Sequence, residues 1–246
     1  VGAEGKTTIS NASCEPEIED LCNFISLLGV DIKGIGTDEL QISSTALKHD
    51  NKIEYSVIPD RIEAATFMIM SAITNGDIII KNINVKHLEI VISKLKEAGL
   101  NIDVIDQATL RIKKDGLIKP VDVETKEYPG FPTDIQAQWM ALMCLANGDS
   151  KIKENIYSDR FTHVSELVRF GANIQVDGDT AHISGVKRFR PAPVMSTDIR
   201  ASASLILAAL SSKGESSISR IYHIDRGYEN IESKIIELGG VIKRTK

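Results

Sequence analysis

The stretch Asp198-Ile-Arg-Ala-Ser-Ala-Ser-Leu-Ile-Leu-Ala-Ala-Leu-Ser-Ser-Lys-Gly-Glu-Ser-Ser-Ile-Ser219 holds the pattern that decides the fold. Asp198 is a preferred N-cap residue, and Ser196-Thr197 before it are ordinary start signals. The helix that follows, 199–212, is apolar nearly all round, with small residues at Ala201, Ala203 and Ala208. A helix without a polar face is buried inside a domain. Gly214 then turns the chain, and Ser217-Ile218-Ser219 reads as a short strand.

Working outward, the same grammar recurs. An apolar helix end is followed by x-Gly-x-x-x-Ile and later by a second helix closed with glycine. The first glycines are Gly5, Gly76, Gly148 and Gly214; the closing ones are Gly29, Gly99, Gly171 and Gly239, at separations of 24, 23, 23 and 25 positions. Such spacing held four times marks an internal repeat. The second helix of each unit is amphipathic: Leu88, Val91, Ile92 and Leu95 fall on one stripe, Val164, Leu167 and Val168 repeat the phase, and so do Tyr228, Ile231, Ile235 and Leu238. The closing glycines suit the left-handed position that ends helices. A strand pair comes next, as in 171–176 followed by 180–183. Interior helices like 199–212 are expected at 61–74 and 135–146.

The implied architecture is α/β, with sheets outside and helices packed within. No interior helix precedes Gly5, so the repeat frame predicts that 1–57 is the last repeat of a truncated first domain and 58–246 a three-repeat second domain, with the boundary near Ser56 to Asp60. The Pro- and Gly-containing stretch 113–132 reads as a connection inside the second domain, because the repeat resumes after it.

Composition narrows the function classes. A net charge of −5 over 246 residues argues against a general nucleic-acid surface, which needs a basic stripe. The longest strongly apolar run, 201–210, is far short of the roughly 18 residues that span a bilayer. Cys14, Cys22 and Cys144 are odd in number and form no C-x-x-C pair, so neither a structural zinc nor a disulfide scaffold is expected. Free thiols among apolar neighbours point to a reducing compartment, the cytoplasm. The histidines show no metal-ligand spacing, and no metal is expected.

Each interior helix is preceded by an aspartate: Asp60, Asp134 and Asp198. Capping explains any one of them. Alternatively, three helix N-termini converge on one end of the domain and attract an anion. Arg200 and Arg226 carry the same two readings. They form ion pairs, with Asp225 or Glu229 as candidates, or they clamp an anionic substrate with the guanidinium fork.

The segments Tyr128-Pro-Gly-Phe-Pro-Thr-Asp-Ile-Gln-Ala-Gln138, Ser196-Thr-Asp-Ile-Arg-Ala-Ser-Ala-Ser204 and Arg220-Ile-Tyr-His-Ile-Asp-Arg-Gly-Tyr-Glu229 resemble those of the UDP-N-acetylglucosamine 1-carboxyvinyltransferases, a family of enolpyruvyl transferases. Essentially the whole chain shares the likeness. The resemblance implies an inside-out α/β barrel with three repeats per domain. It also implies transfer of the enolpyruvyl group of phosphoenolpyruvate to the 3′-hydroxyl of UDP-N-acetylglucosamine, by addition and then elimination of phosphate, as the first committed step of peptidoglycan synthesis. No metal or organic cofactor takes part in that chemistry.

By similarity, Asp198, Arg200 and Arg226 bind phosphoenolpyruvate, and Asp134 is the base and a sugar contact that acts through its position. Ile156 and Arg160 join Asp134 in binding UDP-N-acetylglucosamine. Ser158-Asp159 departs from the acidic residue and Asn more usual before that arginine. The family's Lys-Asn pair and mobile-loop Cys match nothing here, so the resemblance implies a partner in the missing N-terminal domain and no activity for this piece alone. A shikimate-pathway enolpyruvyl transferase and a non-catalytic repeat scaffold are the rival readings.

Overall fold

The computed structural model describes residues 1–43 and 52–245; residues 44–51, inside the first predicted repeat, and Lys246 lie outside the described residues. The chain divides into two compact units, Val1–Pro59 with Glu127–Gly130, and Asp60–Lys126 with Phe131–Lys246.

The first unit carries β1 (Lys6–Ser10), α1 (Pro16–Leu27), β2 (Asp31–Lys33) and β3 (Glu39–Ser43), with the strands paired antiparallel in the order β1-β3-β2. Pro16 opens α1, where its missing N–H costs nothing. Gly29 follows the helix with φ 95° and donates its N–H to the Ser26 carbonyl.

The second unit runs through α2 (Arg61–Thr74), β4 (Asp77–Lys81), α3 (Glu89–Glu97), β5 (Leu100–Asp106), β6 (Thr109–Lys114), β7 (Val123–Glu124), α4 (Gln136–Met143), β8 (Asp149–Lys153), α5 (Val164–Arg169), β9 (Asn173–Asp177), β10 (Thr180–Ser184), β11 (Pro193–Met195), α6 (Ile199–Ser211), β12 (Ser217–Ser219) and α7 (Ile231–Glu237). Three sheets result, in the orders β4-β6-β5, β7-β8-β10-β9 and β11-β12. Helix placement follows the repeat: each Gly turn leads to a strand, a 3-10 turn, a helix and a closing glycine, with the 3-10 turn running directly into α3 and α5 but set apart from α7 by residues 227–230. The φ values of Gly99, Gly171 and Gly239 are 92°, 91° and 88°, a region that residues with a Cβ avoid.

Helices α2, α4 and α6 are the interior helices of this inside-out arrangement. All of α4 is buried, as are 201–208 of α6 and all of α2 except Glu63 and Thr74. Trp139 is fully buried and meets the Phe131 ring edge-on, with centroids 5.4 Å apart. The amphipathic stripe Leu88, Val91, Ile92 and Leu95 is buried as its spacing predicts.

Three details depart from the sequence pattern. Val168 is 45% exposed, because the six-residue α5 buries only Leu167 and leaves the next position to solvent. Leu238, on the predicted stripe, falls just past the end of α7 and is 50% exposed, and Val241 is exposed as well. A groove of about 1600 Å³ opens there, lined by parts of β4, β12 and the 239–245 segment. Finally, α4 starts later than expected, after a 3-10 turn at Thr133–Ile135, and this changes the role of Asp134.

Candidate active site

Two of the three aspartates do what their position predicts. Asp60 accepts the N–H groups of Ile62 and Glu63 at 2.8 and 2.9 Å, and Asp198 those of Arg200 and Ala201 at 2.8 and 3.0 Å. Asp134 does not cap. It sits inside the 3-10 turn and lines a cleft. There its Oδ2 accepts from Arg200 Nη2 at 2.8 Å and its Oδ1 from Arg160 Nη2 at 3.3 Å.

The N-terminal ends of the three interior helices therefore meet. The Arg200–Asp134 contact joins the starts of α6 and α4. Gln138 Nε2, near the start of α4, donates to Thr66 Oγ1 of α2 at 3.1 Å. Tyr228 closes the group from beneath, its hydroxyl 2.8 Å from Thr66 Oγ1 and 3.3 Å from Gln138 Nε2. Burial pushes the Tyr228 phenol above its ordinary value, although Thr66, Arg200 and Gln138 act to lower it. The hydroxyl therefore stays protonated.

The cleft has a volume of about 890 Å³, and its lining includes Asp134, Tyr157, Arg160, Asp198, Arg200 and Arg226. Arg226 is exposed at its rim, with no hydrogen bond or ion pair among the described residues. Asp225, one candidate partner, instead takes two hydrogen bonds from Arg244. Burial lowers the Arg200 pKa, but the Asp134 carboxylate beside it more than compensates, and the guanidinium stays charged. For Asp198, burial pushes the carboxyl up; the Ala201 and Arg200 N–H groups, with His163 and Arg160 nearby, outweigh it and leave the pKa lowered. A carboxylate bonded to backbone N–H groups is held in its charged form.

The structure thus brings together five of the six residues singled out from the sequence, Asp134, Arg160, Asp198, Arg200 and Arg226. Ile156, the sixth, is 41% exposed on the same loop as Tyr157 and Arg160 but is not part of the cleft lining. The Arg160 guanidinium lies 4.8 Å from the centroid of the Tyr157 ring, a cation–π contact. Such a site offers an anion the guanidiniums of Arg200 and Arg226, with the α6 N–H groups already held by Asp198 and Asp134 held by Arg160 and Arg200. The thiols lie elsewhere, and burial pushes that of Cys144 up to about 12. Among the described residues, no group of His, Cys, Asp or Glu is placed to hold a metal ion, and no helix is long and apolar enough to cross a membrane.

A family model described as EPSP synthase (3-phosphoshikimate 1-carboxyvinyltransferase) matches residues 1–235. The chain belongs to the EPSP synthase family. Within the family it is 51% identical over 244 residues to the UDP-N-acetylglucosamine 1-carboxyvinyltransferase of Geotalea uraniireducens (strain Rf4), a match covering 99% of this chain and 58% of that protein. The enzyme of the same name from Campylobacter lari is 50% identical over 242 residues, covering 98% and 58%. Among solved structures, the enolpyruvyl transferase NikO from Streptomyces tendae superposes with a TM-score of 0.86 at 24% identity, covering 98% of this chain and 57% of that one. An EPSP synthase from Acinetobacter baumannii gives 0.73 at 19%, covering 99% and 59%. The chain therefore has the EPSP synthase fold and spans somewhat over half the length of these relatives.

Several polar residues around this cleft are not among those singled out from the sequence. Gln138, Thr66 and Tyr228 were absorbed into apolar helix patterns. Glu154 had a usable signal: in Asp149-Ser-Lys-Ile-Lys-Glu154, strand alternation sends Ser150, Ile152 and Glu154 inward, placing a charge on the buried phase. It is 3% exposed.

Proposed function

We propose that this chain forms the larger part of an enolpyruvyl transferase that joins phosphoenolpyruvate to the 3′-hydroxyl of UDP-N-acetylglucosamine. The observation that carries the reading is Asp134. Alone of three equivalent aspartates it is released from capping, and it stands between Arg160 and Arg200 at a cleft. The names and the roughly half-identical sequences of the relatives support the choice of acceptor.

In this reading Arg200 and Arg226 hold the phosphate and carboxylate of phosphoenolpyruvate, and Asp198 stands by its reacting carbons. Asp134 takes the proton of the 3′-hydroxyl as the oxygen attacks the enol carbon, while an acid supplied from outside this chain protonates the neighbouring methylene. The tetrahedral adduct then expels inorganic phosphate as the methyl group returns a proton to the conjugate base of that acid, regenerating the enol double bond, and the proton on Asp134 leaves with the phosphate. Arg160 and Ile156 border the sugar nucleotide. The reacting groups gain mainly from being held in place. The length of the relatives that this chain does not span, taken in this reading as an N-terminal part, completes the site, and the chain alone is without turnover.

Phosphate release with UDP-N-acetylglucosamine or shikimate 3-phosphate as acceptor tests this, using the chain joined to that N-terminal part and the chain alone. The expected result is release with the sugar nucleotide and the joined protein only. Release with shikimate 3-phosphate instead assigns the rival acceptor favoured by the family's name. An Arg200→Ala variant with unchanged turnover would make the cluster structural.

A further inference from the structure

Glu154 lies one residue beyond β8, buried, and no cation pairs with it in the described structure. A buried carboxylate is costly unless donors surround it, and here four do. Oε1 accepts from Thr125 Oγ1 at 2.7 Å and from the N–H groups of Ile156 and Tyr157 at 2.9 and 3.0 Å. Oε2 accepts from Thr133 Oγ1 at 3.0 Å. The donors come from three separate segments: the end of β7, the turn before α4, and the loop after β8.

Two of these segments border the cleft. Thr133 donates its only hydroxyl proton to Glu154, which turns its lone pairs toward Arg160 Nε, 3.1 Å away. The other end of that guanidinium reaches Asp134. One ordered chain therefore runs Glu154, Thr133, Arg160, Asp134. On the far side of Arg160, His163 Nδ1 donates to the Arg160 carbonyl at 2.9 Å and pins the loop backbone. The Ile156–Tyr157 backbone hangs from the same carboxylate that orients Thr133.

We propose that Glu154 is a positioning residue for the nucleotide-sugar side of the cleft, holding Thr133, Arg160 and the Ile156–Tyr157 backbone in one hydrogen-bonded frame around Asp134. This deepens the functional reading above and rests on it. Arg226 has no bond to the frame, and Arg200 meets it only at its end, Asp134, so the phosphoenolpyruvate side should feel the smaller effect.

Glu154→Gln nearly preserves shape but supplies a donor where Thr133 or the loop N–H groups need an acceptor. Thr133→Val breaks the relay while leaving Glu154 its other three bonds. Steady-state kinetics of the whole protein, this chain joined to the further part described above, should show the KM for UDP-N-acetylglucosamine raised about tenfold in each variant, the scale of one charged hydrogen bond. The KM for phosphoenolpyruvate should stay within about twofold, and the double variant should be no worse than the worse single, since both act through one chain. Equal rises for the two substrates, no rise in either, or strictly multiplicative effects overturn the proposal. Should Glu154→Gln fail to fold, Thr133→Val decides by the same KM ratio. An unaltered protein that does not use UDP-N-acetylglucosamine overturns the functional reading and this proposal together, whereas normal turnover with insensitive variants overturns this proposal alone.

Discussion

Replacing His163 with asparagine should remove a pH dependence of stability that the native residue builds in. The imidazole is 1% exposed beneath the loop that carries Arg160. Nδ1–H is committed to the Arg160 carbonyl, and Nε2 has no partner. Burial drives its pKa down from 6.5 to about 4, with the Arg160 carbonyl and Asp198 resisting and the Arg160 charge assisting. The unfolded chain takes up a proton near pH 6.5 that the folded chain refuses until about 4. The unfolded state therefore binds more protons in that window, and stability falls as pH falls through it. From pH 7 to pH 5 the loss works out at about 2 kcal/mol. Asparagine keeps an N–H donor for the Arg160 carbonyl but does not titrate. Urea midpoints at pH 7 and pH 5 should diverge for the native chain by that amount more than for His163→Asn, whatever the variant's absolute stability. Parallel losses would refute the reasoning, as would an NMR titration placing the imidazole near pH 6.5.

Arg200→Met should lower kcat/KM for the joined protein by about 100-fold or more, because a substrate-anion contact made in a water-poor cleft is lost. Its stability should fall by only about 1.5 kcal/mol, the lower end for a charged hydrogen bond, since Asp134 keeps Arg160 and part of its hydration; phosphate release and thermal melting read the two effects. Asp60→Ala should cost about 1 kcal/mol in melting experiments as α2 loses its cap, while Asp134→Ala should cost about 2 kcal/mol and abolish turnover, because it strips the carboxylate from both Arg160 and Arg200. Tyr228→Phe should destabilise by about 1 kcal/mol in urea melts by removing the hydroxyl shared by Thr66 and Gln138.

Much of the fold was legible because its repeat is punctuated by residues with few alternatives. Gly29, Gly99, Gly171 and Gly239 all have φ near 90°, and the all-round apolar helices are the buried ones. The candidate residues were legible as types, but their division of labour was not. Asp60, Asp134 and Asp198 look alike in sequence, and only the 3-10 turn at Thr133–Ile135 separates one from the other two. Local spacing cannot announce such a turn, because it depends on how α4 packs against its neighbours. Arg160 was named through resemblance, but its bond to Thr133 joins residues 27 positions apart. Gln138 and Tyr228 were hidden for a related reason: a polar side chain in an apolar helix, or in the turn before α7, shows its partner only once distant segments are brought together.

Arg200 gives Asp134 one of its five N–H groups, and an anion that draws the guanidinium off would leave Asp134 with Arg160 alone. Capture of the donor and unmasking of the carboxylate would then be two sides of a single side-chain movement, so that an acceptor hydroxyl meets an available oxygen only when there is something for it to attack.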